Sequence, residues 1–203
     1  AKLGFPTDSS YLHQLGRLCS LGRRALGDVP ILVSEVGIPY DVNGSTALRD
    51  GDYSVQHTLL STLISALDRN LVSFTLWNYN PANTADEGDG WNKEDFSIIN
   101  MEKQAADQAN KRRDDPLYAG GRTLGAILRP YACKVAGDPI STSWDERKLR
   151  FSFAWRNGQQ AVSAPTEVYV PDYVFRGHQL HVSQSDGRSV YRPEVCVCHA
   201  LFH

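Results

Sequence analysis

The feature that most constrains this chain is the alternation of short apolar runs with amphipathic stretches in its first 80 residues. "ILVSEV" (31–36) and "LVSFTLW" (71–77) are strand-length runs rich in β-branched and large apolar residues. Between them, "DYSVQHTLLSTLISALDRN" (52–70) carries Val55, Leu59, Leu60, Leu63, Ile64 and Leu67 at helical spacing, a wide apolar face. Upstream, "SSYLHQLGRLCSLGRRALGD" (9–28) sets Leu12, Leu15, Leu18 and Leu26 near the same period, with Ser9 or Ser10 as an N-cap. Near-continuous apolar strands separated by amphipathic helices predict parallel strands covered on both faces, the α/β class.

The rhythm changes near residue 138. "ISTSWDERKLRFSFAWR", "TEVYVPDYVF" and "HQLHVSQSDGRSVY" are short alternating segments. "DER", "RNGQQ" and "SDGR" read as their hairpin connections. A small antiparallel β-sandwich is expected over 138–203, cut short at its end, after an α/β part over 1–137. Within the α/β part, 81–121 is a long polar stretch rich in Asp, Asn and Gly, a length usually reserved for functional loops. "RTLGAILRPYACKVAG" (122–137) reads as a helix interrupted at Pro130.

A net charge of −2 offers no electrostatic footprint for a polyanion, so nucleic acid is not an expected partner. No apolar run approaches the roughly 18–20 residues that span a bilayer, and no signal-peptide pattern is present. The chain opens on Ala rather than Met, so little follows from that absence. An intracellular compartment, cytoplasm or vacuole, is the expectation. Cys196 and Cys198 would share one face of a terminal strand, but their spacing is not that of a zinc pair. Neither a metal nor a cofactor is expected.

The chemistry-bearing candidates lie at strand ends. Glu35 closes the first apolar run, and Gly37 and Pro39 follow it in a tight loop. It is either a carboxylate that has reached solvent or an acid held for nucleophilic or acid–base work. Trp77, Asn78, Tyr79 and Asn80 close the second run. An indole at a barrel mouth offers a flat face to a sugar ring, and amides can bond its hydroxyls. The loop 83–95, "NTADEGDGWNKED", fails the calcium-loop pattern, because counting from Asp86 places Gly88 and Gly90 where ligands are required. It reads as a Gly-hinged segment presenting Trp91.

"ILVSEVGIPYD", "FTLWNYNPANTADEGDGWNKEDFSI" and "GGRTLGAILRPYACKVAG", in this order, resemble the C-terminal part of family five glycoside hydrolases. The nearest branch is that of the fungal glucosylceramidases and steryl-β-glucosidases, related to endoglycoceramidases. The resemblance runs over about residues 1–170. It implies the last strands of a (β/α)₈ TIM barrel followed by a β-sandwich. It also implies Glu35 as the nucleophile at the end of the seventh strand and Trp77 as the floor of the sugar subsite. Asn78, Asn80 and Trp91 would be subsite walls.

The chemistry so implied is retaining hydrolysis of a β-glucoside with a hydrophobic aglycone, such as a ceramide or a sterol. The acid–base glutamate belongs after the fourth strand, and nothing ahead of Glu35 can supply it. An N-terminal barrel portion carrying that glutamate is therefore an expected partner, beside the glycolipid substrate and contact with a membrane surface. Two alternatives stay open: a non-catalytic remnant that binds carbohydrate or membrane, and a cellulase-like endoglycanase. Two strands alone would leave unpaired edges and a bare apolar face.

Overall fold

A computed structural model describes residues 8–27, 29–110, 116–157 and 164–201. The element order is α1 (Asp8–Leu26), β1 (Leu32–Val36), α2 (Val42–Asp50), α3 (Ser54–Arg69), β2 (Ser73–Leu76), α4 (Met101–Asn110), α5 (Leu124–Ile127), β3 (Tyr131–Lys134), β4 (Asp138–Asp145), β5 (Arg150–Arg156), β6 (Thr166–Tyr169), α6 (Asp172–Phe175), β7 (Arg188–Arg192) and β8 (Val197–Leu201). The chain divides into two compact units, Ala1–Leu67 with Val72–Ile127, and Asp68–Leu71 with Leu128–His203.

In the first unit β1 and β2 pair in parallel, with Leu32 opposite Ser73 and Val36 opposite Leu76. The strand–helix–strand connection runs through α3, whose apolar face is the one the sequence predicts. Leu59, Leu60, Leu63, Ile64 and Leu67 are buried. Leu63 and Leu67 pack with Val36, Val72 and Cys19, while Leu60 and Ile64 pack with Ala126. Burying side chains of this size stabilises by about 1.5–3 kcal/mol each.

α1 turns a different stripe inward than its leucine spacing suggests. Tyr11, Leu15 and Cys19, four residues apart, pack on the core, whereas Leu18 and Leu26 are exposed. Ser9 and Ser10 lie inside the helix rather than capping it. β1 is not covered on both faces either: Leu32 is 60% exposed, and among the described residues the strand pairs only with β2.

The polar stretch 81–121 is more ordered than its composition implies, since it contains α4 and a 3₁₀ turn at Pro116–Tyr118. The helix expected over 122–137 is corrected to the single turn of α5. After Pro130 the chain extends into β3, where Tyr131 pairs with Tyr169 of β6. Accordingly the second unit takes up the chain at Leu128, ahead of the change in rhythm.

That unit holds a four-stranded antiparallel sheet in the order β3-β6-β8-β7 and the β4-β5 hairpin. Phe151, Phe153 and Trp155 alternate along β5 and form a row of rings, with centroids 6.4 and 5.3 Å apart. Together with Val168, Val170 and Phe175 they line one groove. Asp145 Oδ1 closes the β4-β5 turn by accepting from the Arg147 and Lys148 amides. "RNGQQ" falls largely outside the described residues. "SDGR" precedes β7, but residues 178–186 form no strand, so it does not close a hairpin. Cys196 sits at a positive φ before β8 begins, so it shares no strand face with Cys198. β8 itself lies between β6 and β7.

Candidate active site

Glu35 and Trp77 come together because their strands are parallel neighbours. The Trp77 amide donates to the Val36 carbonyl at 2.7 Å, one residue past the end of β2. Gly37 permits this closeness: a Cβ there would overlap the Trp77 carbonyl oxygen and crowd Phe96. The Glu-x-Gly sequence therefore has a steric cause, since the residue after Val36 must leave room for the neighbouring strand's exit. The Glu35 side chain is exposed at this edge. The Trp77–Asn78 peptide is cis.

Beyond Trp77 the chain folds over a buried polar cluster. Asp89 receives four hydrogen bonds on its two carboxylate oxygens. Oδ1 accepts from Asn83 Nδ2 at 2.8 Å and the Ser97 amide at 3.2 Å. Oδ2 accepts from Asn78 Nδ2 at 3.1 Å and the Phe96 amide at 2.8 Å. Asp95 lies beside it, with Oδ1 accepting from Arg122 Nη2 at 2.6 Å and from Asn83 Nδ2 at 2.9 Å.

Arg122 is 1% exposed and also donates through Nε to the Ser97 carbonyl at 2.8 Å. Its guanidinium carbon lies 3.8 Å from the ring centroid of Tyr40, a desolvated cation–π contact. Tyr40 shares a 2.7 Å hydrogen bond with Thr123, and its amide donates to the Asp95 carbonyl. Burial pushes the Tyr40 hydroxyl up to about 12, against the lowering pull of Thr123 and Arg122.

The five sequence-predicted residues thus have unequal surroundings. Trp77 is half-buried, and its Nε1 donates to Glu94 Oε2 at 3.1 Å. The Asn78 amide is turned by Asp89, and its Oδ1 is buried with no hydrogen-bond partner. Asn80 donates to the Asp89 carbonyl and accepts from the Ala82 amide. Trp91, 62% exposed, rides the tip of the loop, and Tyr79 is 66% exposed. Of the acids in the 83–95 loop, Asp89, Glu94 and Asp95 accept hydrogen bonds that tie the loop to Asn78, Trp77 and Arg122.

Sequence reasoning did not single out Asp89, Asp95, Arg122 or Glu94. Only Arg122 carries a signal, a lone cation in "GGRTLGAI" directly ahead of an apolar run.

Comparison with known proteins gives the class first. Residues 129–200 match the glycoside hydrolase family 5 C-terminal domain, and the chain is similar to enzymes of that kind. It is 37% identical over 193 residues to a glucosylceramidase of Rhizopus delemar, covering 91% of this chain and 28% of that protein. To a glucosylceramidase of Cryptococcus neoformans var. grubii it is 34% identical over 190 residues, covering 90% of this chain and 26% of the relative. Among solved structures, sterylglucosidase 1 of Cryptococcus neoformans superposes with a TM-score of 0.83 at 25% identity, over 97% of this chain and 30% of that one. Endo-glycoceramidase II from Rhodococcus shares the fold at a TM-score of 0.63 and 18% identity, over 95% and 34% of the two chains. The chain therefore spans less than a third of the length of these curated relatives.

Proposed function

We propose that this chain is the C-terminal part of a retaining β-glycosidase acting on a β-glucoside with a hydrophobic aglycone, a glucosylceramide or a steryl glucoside. β1 and β2 are then the last two strands of a (β/α)₈ barrel, whose active site lies at the C-terminal strand ends. The observation that carries the reading is the parallel pairing that brings Glu35 and Trp77 to one such edge, with Gly37 leaving room for the Trp77 carbonyl. Glu35 attacks the anomeric carbon of a sugar lying on Trp77, while Asn78, Asn80 and Trp91 border the subsite. A second carboxylic acid protonates the leaving oxygen, and water then releases the glycosyl-enzyme. A retaining pair requires the two carboxyls about 5–5.5 Å apart.

No carboxylate of this chain is assigned that acid's part, so an N-terminal barrel portion that supplies it is the partner the mechanism requires. The aglycone class follows from the relatives' names. The exposed Tyr79 and Trp91 support contact with a lipid surface, and among the described residues no helix is long and apolar enough to cross a membrane.

The test is mechanism-based labelling of the full-length protein. A 2-deoxy-2-fluoroglucoside should attach covalently to Glu35, seen by peptide mass, and Glu35→Gln should lower kcat by about 10³-fold or more. Labelling of another carboxylate, or normal turnover by Glu35→Gln, would overturn the assignment.

A further inference from the structure

One carboxylate beside Trp77 has no part in the mechanism above. Glu94 accepts the Trp77 indole N–H on Oε2. Its other oxygen, Oε1, makes no hydrogen bond among the described residues and is open to solvent. Both oxygens hang from one carbon, so Oε1 also lies at the N–H edge of the indole.

The backbone that carries Glu94 is fixed on each side. The Glu94 amide donates to the Trp91 carbonyl at 2.8 Å, and the Glu94 carbonyl accepts from Asp89 at 2.7 Å. Asp95, the next residue, is clamped by Arg122. A side chain held this way is preorganised, and none of the bonds that hold its backbone uses its carboxylate.

A β-glucopyranoside stacked on an indole presents its C–H face to the ring. Its equatorial hydroxyls point outward in the plane of the sugar, past the edges of the indole. The N–H edge is where the unused oxygen of Glu94 sits, and an ionised carboxylate accepts hydroxyl hydrogens strongly. We infer that Glu94 is a specificity-determining residue of the sugar site: Oε2 orients Trp77, and Oε1 accepts one or two hydroxyls of the sugar that Trp77 carries. This rests on the hydrolase reading above and extends it to the recognition of the sugar.

The experiment uses the full-length protein labelled with 5-fluorotryptophan, with the Trp77 resonance assigned by Trp77→Phe. Two variants separate the two roles. In Glu94→Gln the amide oxygen still accepts the indole N–H, so the Trp77 ¹⁹F resonance should stay in place. It loses the anionic acceptor, so kcat/KM for an aryl β-glucoside should fall about tenfold or more. In Glu94→Ala the resonance should shift and kcat/KM fall further, chiefly through KM, while the fluoroglucoside still labels Glu35.

Full kcat/KM in Glu94→Gln would remove the sugar-contacting role, and an unmoved resonance in Glu94→Ala would remove the orienting one; either overturns the inference. A wild-type protein that turns over no β-glucoside overturns the hydrolase reading and this inference with it. A protein that does turn it over, with both variants unchanged, overturns this inference alone.

Discussion

The first unit contains two interiors built on opposite principles. Under α3 the core is apolar: Leu60, Leu63, Ile64 and Leu67 meet Val36, Val72 and Ala126 through non-directional contacts. Under the segment that follows β2, the buried residues are Asn83, Asp89, Asp95, Ser97, Asn100 and Arg122, joined by hydrogen bonds. Apolar cores accept volume-conserving exchange. A buried charge cluster does not, because removing one partner leaves the other desolvated and unpaired. The scaffold that brings Glu35 and Trp77 together is therefore tolerant, and the loop that surrounds Trp77 is exacting.

The sharpest way to break this contrast is Arg122→Ala. It strands Asp95 and unfastens the Ser97 carbonyl, and should cost about 3–5 kcal/mol by urea unfolding. Arg122→Lys should recover only part of this, since a single ammonium cannot reproduce the forked geometry. Next comes Leu67→Ala in the apolar interior, expected at about 2–5 kcal/mol. Leu67→Met there should cost under about 1.5 kcal/mol. If Arg122→Lys proved as mild as Leu67→Met, the distinction between the two interiors would collapse.

A pH titration probes the boundary of the polar interior. The Tyr40 pKa is raised by burial from 10.0 to about 12 in the folded state. The neutral hydroxyl is thus favoured by folding, and its contribution is complete below pH 10 and lost as the pH rises through 12. That contribution is about 2–3 kcal/mol. Thermal unfolding between these pH values should fall more steeply for the wild type than for Tyr40→Phe; parallel curves would remove Tyr40 from the account.

The smallest effect belongs to the second unit. Asp68 and Arg129 form an ion pair at 3.1 Å. Burial raises the Asp68 carboxyl and lowers the Arg129 guanidinium, each shift larger than the opposing pull of the partner. Desolvation outweighs attraction there, so Asp68→Leu with Arg129→Met should leave stability unchanged or raise it. Chemical denaturation of the double variant, beside each single one, would show this. A loss on the scale of Arg122→Ala would make the second unit as exacting as the loop around Trp77.

How far the sequence could be read follows the same division. α3 is legible because six apolar residues keep one helical period, and all of them but the half-buried Val55 are buried. The Glu-x-Gly at β1 marked a strand end, yet why the glycine is there depends on a carbonyl that arrives from residue 77. α4 was hidden in a polar stretch, since Met101–Asn110 carries no wide apolar face to announce a helix. β3 reads as helix in the sequence because the four residues after Pro130 take their conformation from pairing with β6. Least legible was the choice among the acids of 83–95. Asp89 and Asp95 are buried while Asp86 and Glu87 are exposed, and what selects Asp95 is a guanidinium 27 residues away.

That last separation bears on the order in which the molecule can form. Within the second unit, the β4-β5 hairpin joins across the few residues between Asp145 and Arg150, so its closure is fast. The strands that carry Glu35 and Trp77 meet across 41 residues, as between Ser34 and Thr75, and the polar interior closes only once Arg122 has been synthesised. Loops of that size are slower to close. During synthesis the strand bearing Glu35 emerges ahead of β2, its carboxylate on a strand that the Trp77 strand has yet to join.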